Sequence, residues 1–197
     1  SFQMTAHGAS WEANPSITEA STRDLEPDEV VWAREYAAIP QAEAETSLLM
    51  SAVLDRNTRT GVGNLPPDDR HTYTATIDPA TRGNAWTLTV GCLTDRAVRR
   101  IALVREWRGT KAKPLVPGVI FGEIATELRP YDLKHVHSDQ FSEDSMRELA
   151  RQHGLAYLVS PWTAAVKADA YDALKTLAQE TKLDLPDDPI VKTDLLG

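Results

Sequence analysis

Tyr73-Thr-Ala-Thr-Ile-Asp78 is the stretch that decides the fold. Its β-branched and aromatic residues favour a strand, and the strand ends in a carboxylate. Downstream, Trp86, Leu88, Val90 and Cys92 alternate with Thr87, Thr89 and Gly91, which predicts a second strand of period two. Val98–Trp107 predicts a third. The connections are short, so the three form an antiparallel meander. Pro117 then opens a helix whose Ile120, Ile124 and Leu128 lie one turn apart, and Pro130 closes it. Lys134–Ser138 reads as a short strand. Ser142 caps a further helix with Glu143 and Asp144 in its first turn. Met146, Leu149, Ala150 and His153 form that helix's apolar stripe, and Gly154 suits the position past its end. Leu155–Ser160 is a fifth strand, and Thr163 caps a last long helix with Val166, Ala170, Ala173, Leu174, Leu177 and Ala178 inward.

The order β-β-β-α-β-α-β-α is the chain order of the ribonuclease H-like fold: an α/β protein with a central mixed five-stranded sheet flanked by helices. In that arrangement the first strand is central and the fourth pairs parallel to it. Asp78 ends the first and Asp139 follows the fourth, so both carboxylates come to the carboxyl edge of the sheet, where open α/β sheets place their sites. Two carboxylates brought together repel unless a cation sits between them. Hard oxygen donors favour Mg²⁺ or Mn²⁺. Two such ions about 4 Å apart can activate water and stabilise the leaving oxygen of a phosphodiester.

Composition bounds what surrounds this site. The 197 residues carry 21 basic and 29 acidic side chains, net −8, in a chain of ordinary globular content. Residues 1–72 hold five basic and twelve acidic side chains and residues 73–197 sixteen and seventeen, so the acidity belongs to the first part. Gly61, Gly63, Pro66 and Pro67 mark a linker or loop near the shift. Upstream, Pro27 in Leu25-Glu-Pro-Asp-Glu29 predicts a helix start and Pro40 its stop, with a second helix from Ala42 to about Asn57. No apolar run approaches a membrane span of ~18–20 residues, and no secretory signal is visible. One cysteine, Cys92, excludes an internal disulfide and a Cys-rich zinc module.

These segments together resemble the nuclease domain of the large terminase subunit, the DNA-packaging motor of tailed bacteriophages. Trp11-Glu-Ala-Asn14-Pro15-Ser-Ile17 and Arg34-Glu35-Tyr36 resemble the segment joining the packaging ATPase to the nuclease. Ile77-Asp78-Pro79-Ala80, followed by Gly83, resembles the first metal-aspartate motif, and His137-Ser-Asp139-Gln-Phe-Ser142 the second. Arg105-Glu-Trp-Arg-Gly109 resembles the end of the third strand, and Ser160-Pro-Trp162 with Lys167 and Tyr171 the entry to the last helix. The resemblance implies a metal-dependent endonuclease that cuts concatemeric double-stranded DNA during genome packaging. Asp78 and Asp139 would be metal ligands for two Mg²⁺ or Mn²⁺ ions. It implies residues 1–72 as a connecting arm from an ATPase domain of the same polypeptide, and 73–197 as a nuclease domain truncated at its C-terminal end. Implied partners are double-stranded DNA, the portal protein and the small terminase subunit, in the host cytoplasm and with no membrane.

The sequence departs from the family in its third acidic ligand, which comes from a later helix. Asp187, Asp188 and Asp194 are available acids, but no motif places them at the metals. There is also no GxxxxGK[ST] phosphate loop. Arg96, Arg99, Arg100, Arg105, Arg108, Lys111 and Lys113 form a basic hairpin that reads either as a phosphate-backbone contact or as a charged sheet edge that discourages strand pairing. Arg82 and Lys167, with Lys111 and Lys113, are the candidate DNA-binding residues. His135-Val-His137-Ser-Asp139 approaches an HxHxDH zinc pattern but has Gln140 in the final position. The five tryptophans read as packing residues. Two alternatives stay open: another ribonuclease H-like nuclease of resolvase or transposase type, and a non-catalytic DNA or portal docking module with an incomplete metal site.

Overall fold

Tyr73, Ala75 and Ile77 point into the protein while Thr74, Thr76 and Asp78 face outward, so a single strand presents an apolar row to one side and a polar row to the other. A computed structural model describes residues 9–14, 16–25, 32, 36, 48–81, 84–139 and 143–196. They fall into two compact units, Ser1–Met50 with Leu196–Gly197, and Ser51–Leu195.

In the second unit, helix α3 (Ser51–Asn57) leads into β1 (Thr58–Arg59), then β2 (Tyr73–Asp78), β3 (Ala85–Leu93) and β4 (Arg99–Arg108). Helix α4 (Pro117–Leu128), β5 (His135–Ser138), α5 (Glu143–Gln152), β6 (Ala156–Val159), α6 (Ala164–Gln179), β7 (Leu183–Pro186) and α7 (Pro189–Leu196) follow. The sheet has seven strands in the order β1-β7-β4-β3-β2-β5-β6. Only β3 runs against the rest: it is antiparallel to β2 and β4, while β2–β5, β5–β6, β4–β7 and β1–β7 are parallel. The meander and the parallel β2–β5 pair match the expected topology. The strand count does not, because β1 and β7 add to the predicted five. They are two and four residues long, too short for an alternation to register.

One face of the sheet packs under α4 and α5. Ile120, Phe121, Ile124, Leu128, Met146 and Ala150 meet Trp86, Leu88, Val90, Val136 and Tyr157 in a single core. Phe121 lies edge-on to Trp86 at 5.5 Å and to Tyr157 at 6.3 Å, contacts each worth about 0.5–1.5 kcal/mol beyond the buried area. Gly154, at φ +74°, ends α5 in the left-handed conformation that favours glycine. His153 is exposed rather than part of the stripe. In α6, Thr163 caps as expected, its Oγ1 accepting from Val166 N at 3.3 Å. Its predicted inward face is only partly used: Val166 and Ala173 are exposed, Ala170, Leu174 and Leu177 half-buried, and Ala178 buried.

The Gly/Pro-rich stretch is no free linker. It runs along β4 where β7 stops. The Asn64 side chain accepts from Val104 N (2.9 Å) and donates to Val104 O (3.2 Å), and Leu65 N donates to Ala102 O (2.7 Å). The sheet unit therefore begins at Ser51, upstream of Tyr73. Asn57, fully buried, donates to Ala178 O and Val53 O and accepts from Leu183 N. Asp184 of β7 receives Arg59 Nη1 at 2.7 Å on one oxygen and Arg100 Nε at 2.6 Å on the other. The hydrogen bond to Asp184 raises the Arg100 pKa further above its ordinary value. These contacts also revise the basic hairpin. Arg100 is spent on Asp184, Arg105 on Glu127 and Arg108 on Glu106, and β4 is an interior strand, not a charged edge.

In the first unit, helices α1 (Ser10–Ala13) and α2 (Glu19–Leu25) lie ahead of the predicted helix start at Pro27, and Leu25 ends a helix rather than preceding one. Trp11 stacks on the buried Trp32 at 5.7 Å, Arg23 lies 3.7 Å over the Trp32 ring, and Trp32 Nε1 donates to Thr22 Oγ1 at 3.0 Å. The predicted Pro27–Pro40 helix and the start of the Ala42–Asn57 helix lie largely outside the described residues; within them, helix α3 begins at Ser51. No described helix is long and apolar enough to cross a membrane.

Replacing Asp184 by Asn leaves two guanidiniums sharing one neutral amide. The expected cost is about 3 kcal/mol, read as a lowered urea midpoint with an unchanged slope.

Candidate active site at the carboxyl edge of the sheet

Register sets the site. Thr76 of β2 pairs with His137 of β5 in parallel, so two residues further along each chain Asp78 and Asp139 arrive side by side on one face. Asp78 also pairs with Thr87 of β3, and Thr87 with Glu106 of β4. One row across the sheet therefore reads Asp139, Asp78, Thr87, Glu106. The row behind it reads Leu158, His137, Thr76, Thr89, Val104.

Asp78 and Asp139 line one cleft of about 560 Å³ with Thr74, Thr76, Thr87 and Thr89 as its hydroxyl floor. His137, Ser160 and Trp162 line it too. Burial raises the Asp78 pKa above the ordinary carboxylate range, and the negative charge of Asp139 raises it further. Glu106 differs, since it is paired with Arg108. Among the described residues no three His, Cys, Asp or Glu side chains are grouped to hold a metal. That removes support for the zinc reading, although His135 and His137 do share a face with rings 5.6 Å apart.

The turn after Asp78 is braced by the end of β4. Leu115 N donates to Thr81 O at 3.1 Å, and a Cβ on Gly109 would lie 2.6 Å from the same oxygen, so only glycine fits there. Lys111 and Lys113 are exposed in the loop just beyond, closed by Thr110 N to Lys113 O and Lys113 N to Thr110 Oγ1, both 2.9 Å. Because β4 runs in the direction of β2, this loop stands at the same end of the sheet as Asp78. Arg82 lies outside the described residues. Lys167 is on α6, its ammonium 5.6 Å over the Tyr171 ring, and does not line the cleft.

Asp187 and Asp188 are engaged elsewhere. Asp187 accepts from Gly61 N and pairs with Lys192, and Asp188 accepts from Ile190 N. They follow β7, three strand spacings from β2, or roughly 14 Å. The tryptophan reading needs one correction: Trp162 is 46% exposed and lines the cleft. A lone aromatic residue after a Pro carries no periodic signal, so its place came only with the fold.

No family model matches the sequence, and no curated protein matches it. Solved structures do. The crystal structure of the HK97 bacteriophage large terminase superposes with a TM-score of 0.65 at 14% identity, covering 95% of this chain and 46% of that one. The fold is that of the large-terminase nucleases. The large terminase nuclease of thermophilic phage G20c with bound magnesium gives 0.57 at 18% identity, over 77% of this chain and 80% of that one. The Thermus phage P74-26 large terminase nuclease domain gives 0.51 at 18%, over 73% and 75%. The chain spans about half the length of the HK97 large terminase. At 14–18% identity the likeness to the terminase nucleases is one of architecture.

Two outcomes follow from this geometry. With its pKa raised in the folded state, the folded protein holds the Asp78 proton more tightly than the unfolded chain, so this group's effect on stability turns unfavourable as pH rises through that pKa. In metal-free buffer, Asp78→Asn is therefore expected to raise Tm at pH 7, and the gain should vanish as pH falls toward the ordinary aspartate range. Gly109→Ala should cost about 1–3 kcal/mol, because both of its close neighbours are backbone. Denaturant titration checks it.

Proposed function

We propose that this chain is the metal-dependent DNA endonuclease domain of a phage large terminase, cutting concatemeric double-stranded DNA during genome packaging. The observation that carries the proposal is the pair of carboxylates, Asp78 and Asp139, abreast at the carboxyl edge of a sheet built like the terminase nucleases. The magnesium in the G20c nuclease structure gives the same direction.

The donor set suits Mg²⁺ or Mn²⁺. Asp78 sits where burial and a second carboxylate both oppose its charge, a situation that a divalent cation relieves and a monovalent one relieves less. Asp78 and Asp139 are the residues that would hold the ions. When bound, the ions supply Lewis acidity for water activation and for the leaving oxygen. The protein's own part is to hold both carboxylates rigidly on paired strands, with the Thr81–Leu115 brace fixing the turn after Asp78. Thr76, Thr87 and Ser160 offer hydroxyls to a strand crossing the cleft.

Lys111 and Lys113 would meet phosphates at the same end of the sheet, in contacts independent of base sequence. Arg82, four residues past Asp78, and Lys167 are assigned to the same duty. The N-terminal unit would lead to an ATPase domain of the same polypeptide, and the portal protein and small terminase subunit would be its partners in the host cytoplasm.

With Mn²⁺, the protein is expected to convert supercoiled plasmid to nicked and linear forms. Asp78→Ala and Asp139→Ala should each slow this at least ~100-fold, since even residues that merely orient metal ligands cost 10–100-fold. Cleavage retained in either variant would sink the site assignment. Calorimetry on the same proteins separates the nuclease from a docking module: Mn²⁺ binding lost in Asp78→Asn supports the first, and no binding by the wild type the second.

A further inference from the structure

His135 and His137 stand two residues apart on one face of β5. Alternate residues of a strand point the same way, so the rings are neighbours: their centres lie 5.6 Å apart, with planes at 87°. Both are half-buried, while Val136 between them is fully buried on the opposite face. Among the described residues neither imidazole takes part in a hydrogen bond or an ion pair, and each has the other as its ring contact. The surroundings admit a cation. In the parallel register His137 lies between Thr76 of β2 and Leu158 of β6, and His135 beside Ala156. These neighbours are uncharged, and Thr76, Ala156 and Leu158 are exposed.

Distance decides whether one ion can reach both rings. A ligating imidazole nitrogen stands about 2.0–2.1 Å from zinc, which puts the metal about 3.2 Å from the ring centre. At a tetrahedral angle two such centres lie about 5.2 Å apart, close to the observed 5.6 Å. The backbone needs no change. A turn about the last side-chain torsion, which is soft in histidine, aims a nitrogen of each ring at one point. Two ligands are fewer than the three that hold a catalytic zinc, so the pair makes a chelate with water in the remaining positions, not a hydrolytic zinc centre. Imidazole suits Zn²⁺, Ni²⁺ and Cu²⁺, whereas carboxylate suits Mg²⁺ and Mn²⁺. The two ligand sets on this face therefore sort divalent ions by class.

We propose that His135 and His137 together chelate one transition-metal ion of the Zn²⁺, Ni²⁺ or Cu²⁺ class, and that its presence inhibits the adjoining carboxylate site. The inhibition rests on the nuclease reading; the chelate does not. His137 is two residues from Asp139, roughly 7 Å along the strand. A divalent charge at that distance opposes Mg²⁺ or Mn²⁺ at the carboxylates, and the waters of the chelated ion fill the part of the cleft that His137 lines.

Calorimetry with Ni²⁺ as titrant, on the full chain in excess Mg²⁺, tests the chelate. The wild type is expected to bind one ion per chain. His135→Ala and His137→Ala should each weaken that binding at least ~10-fold, since even groups that merely orient metal ligands cost 10–100-fold. Asp78→Asn and His153→Ala should leave it unchanged. Cu²⁺ in place of Ni²⁺ should give an electron paramagnetic resonance spectrum split by two nitrogens in the wild type and by one in His135→Ala, a readout that a mere change in stability does not move. In the plasmid assay with Mn²⁺, added Ni²⁺ should slow cleavage by the wild type but not by His135→Ala, whose side chain is outside the cleft lining. No Ni²⁺ binding by the wild type, undiminished binding in either histidine variant, or binding lost in Asp78→Asn overturns the chelate and leaves the nuclease reading standing. Cleavage that Ni²⁺ leaves unaffected while the pair is occupied overturns the inhibition. A wild type that binds Ni²⁺ through the histidines yet cuts no plasmid overturns the nuclease reading, and the inhibition with it, while the chelate stands.

Discussion

One backbone pairing sets the carboxylate edge of the sheet: the parallel match of Thr76 in β2 with His137 in β5. Side chains on adjacent parallel strands stand in rows, so that register alone determines which residue lies beside Asp78. A slip of one residue would turn Asp139 to the opposite face and place Ser138 in its row. The core prevents the slip. Val136 and Ser138 are buried while His135 and His137 are half-buried on the opposite face, and exchanging them would turn imidazoles into the core that holds Val136, Phe121 and Leu88.

The same arrangement works against local stability. Packing two carboxylates together at a partly buried edge raises the pKa of Asp78, which is a cost to the folded state at neutral pH. The stabilisation comes from elsewhere in the unit: the aromatic contacts under α4 and α5, and the two guanidiniums on Asp184. The carboxylate cleft and the structural clamp sit on opposite sides of the meander, so either can be altered without direct contact with the other.

Much of this was legible in the sequence where a period or a breaker marks it. β2 shows as a β-branched run, and α4 as three aliphatic residues one turn apart between prolines. Asp78 and Asp139 followed because each closes such a segment. What stayed hidden depends on partners far along the chain. Leu183-Asp-Leu-Pro186 has no pattern of its own and becomes a strand because β1 and β4 flank it. Arg100 and Arg105 look like part of a binding strip until Asp184 and Glu127 come beside them. The apolar spacing of α6 shows which side would be buried but not how much of the sheet reaches under it. Trp162, a single ring after a proline, shows nothing until the cleft exists.

The Arg59–Asp184 contact joins residues 125 positions apart, and this has a consequence for how the chain folds. The β2–β4 meander closes through short turns, whereas β1 has no strand partner until β7 has been made and brought back. Closing so long a loop is entropically slow. During synthesis, α3 and β1 leave the ribosome well ahead of β7 and wait for the chain between them. Throughout that interval the Asn64–Leu65 segment is the cover available for the outer edge of β4, shielding it from pairing with other nascent strands.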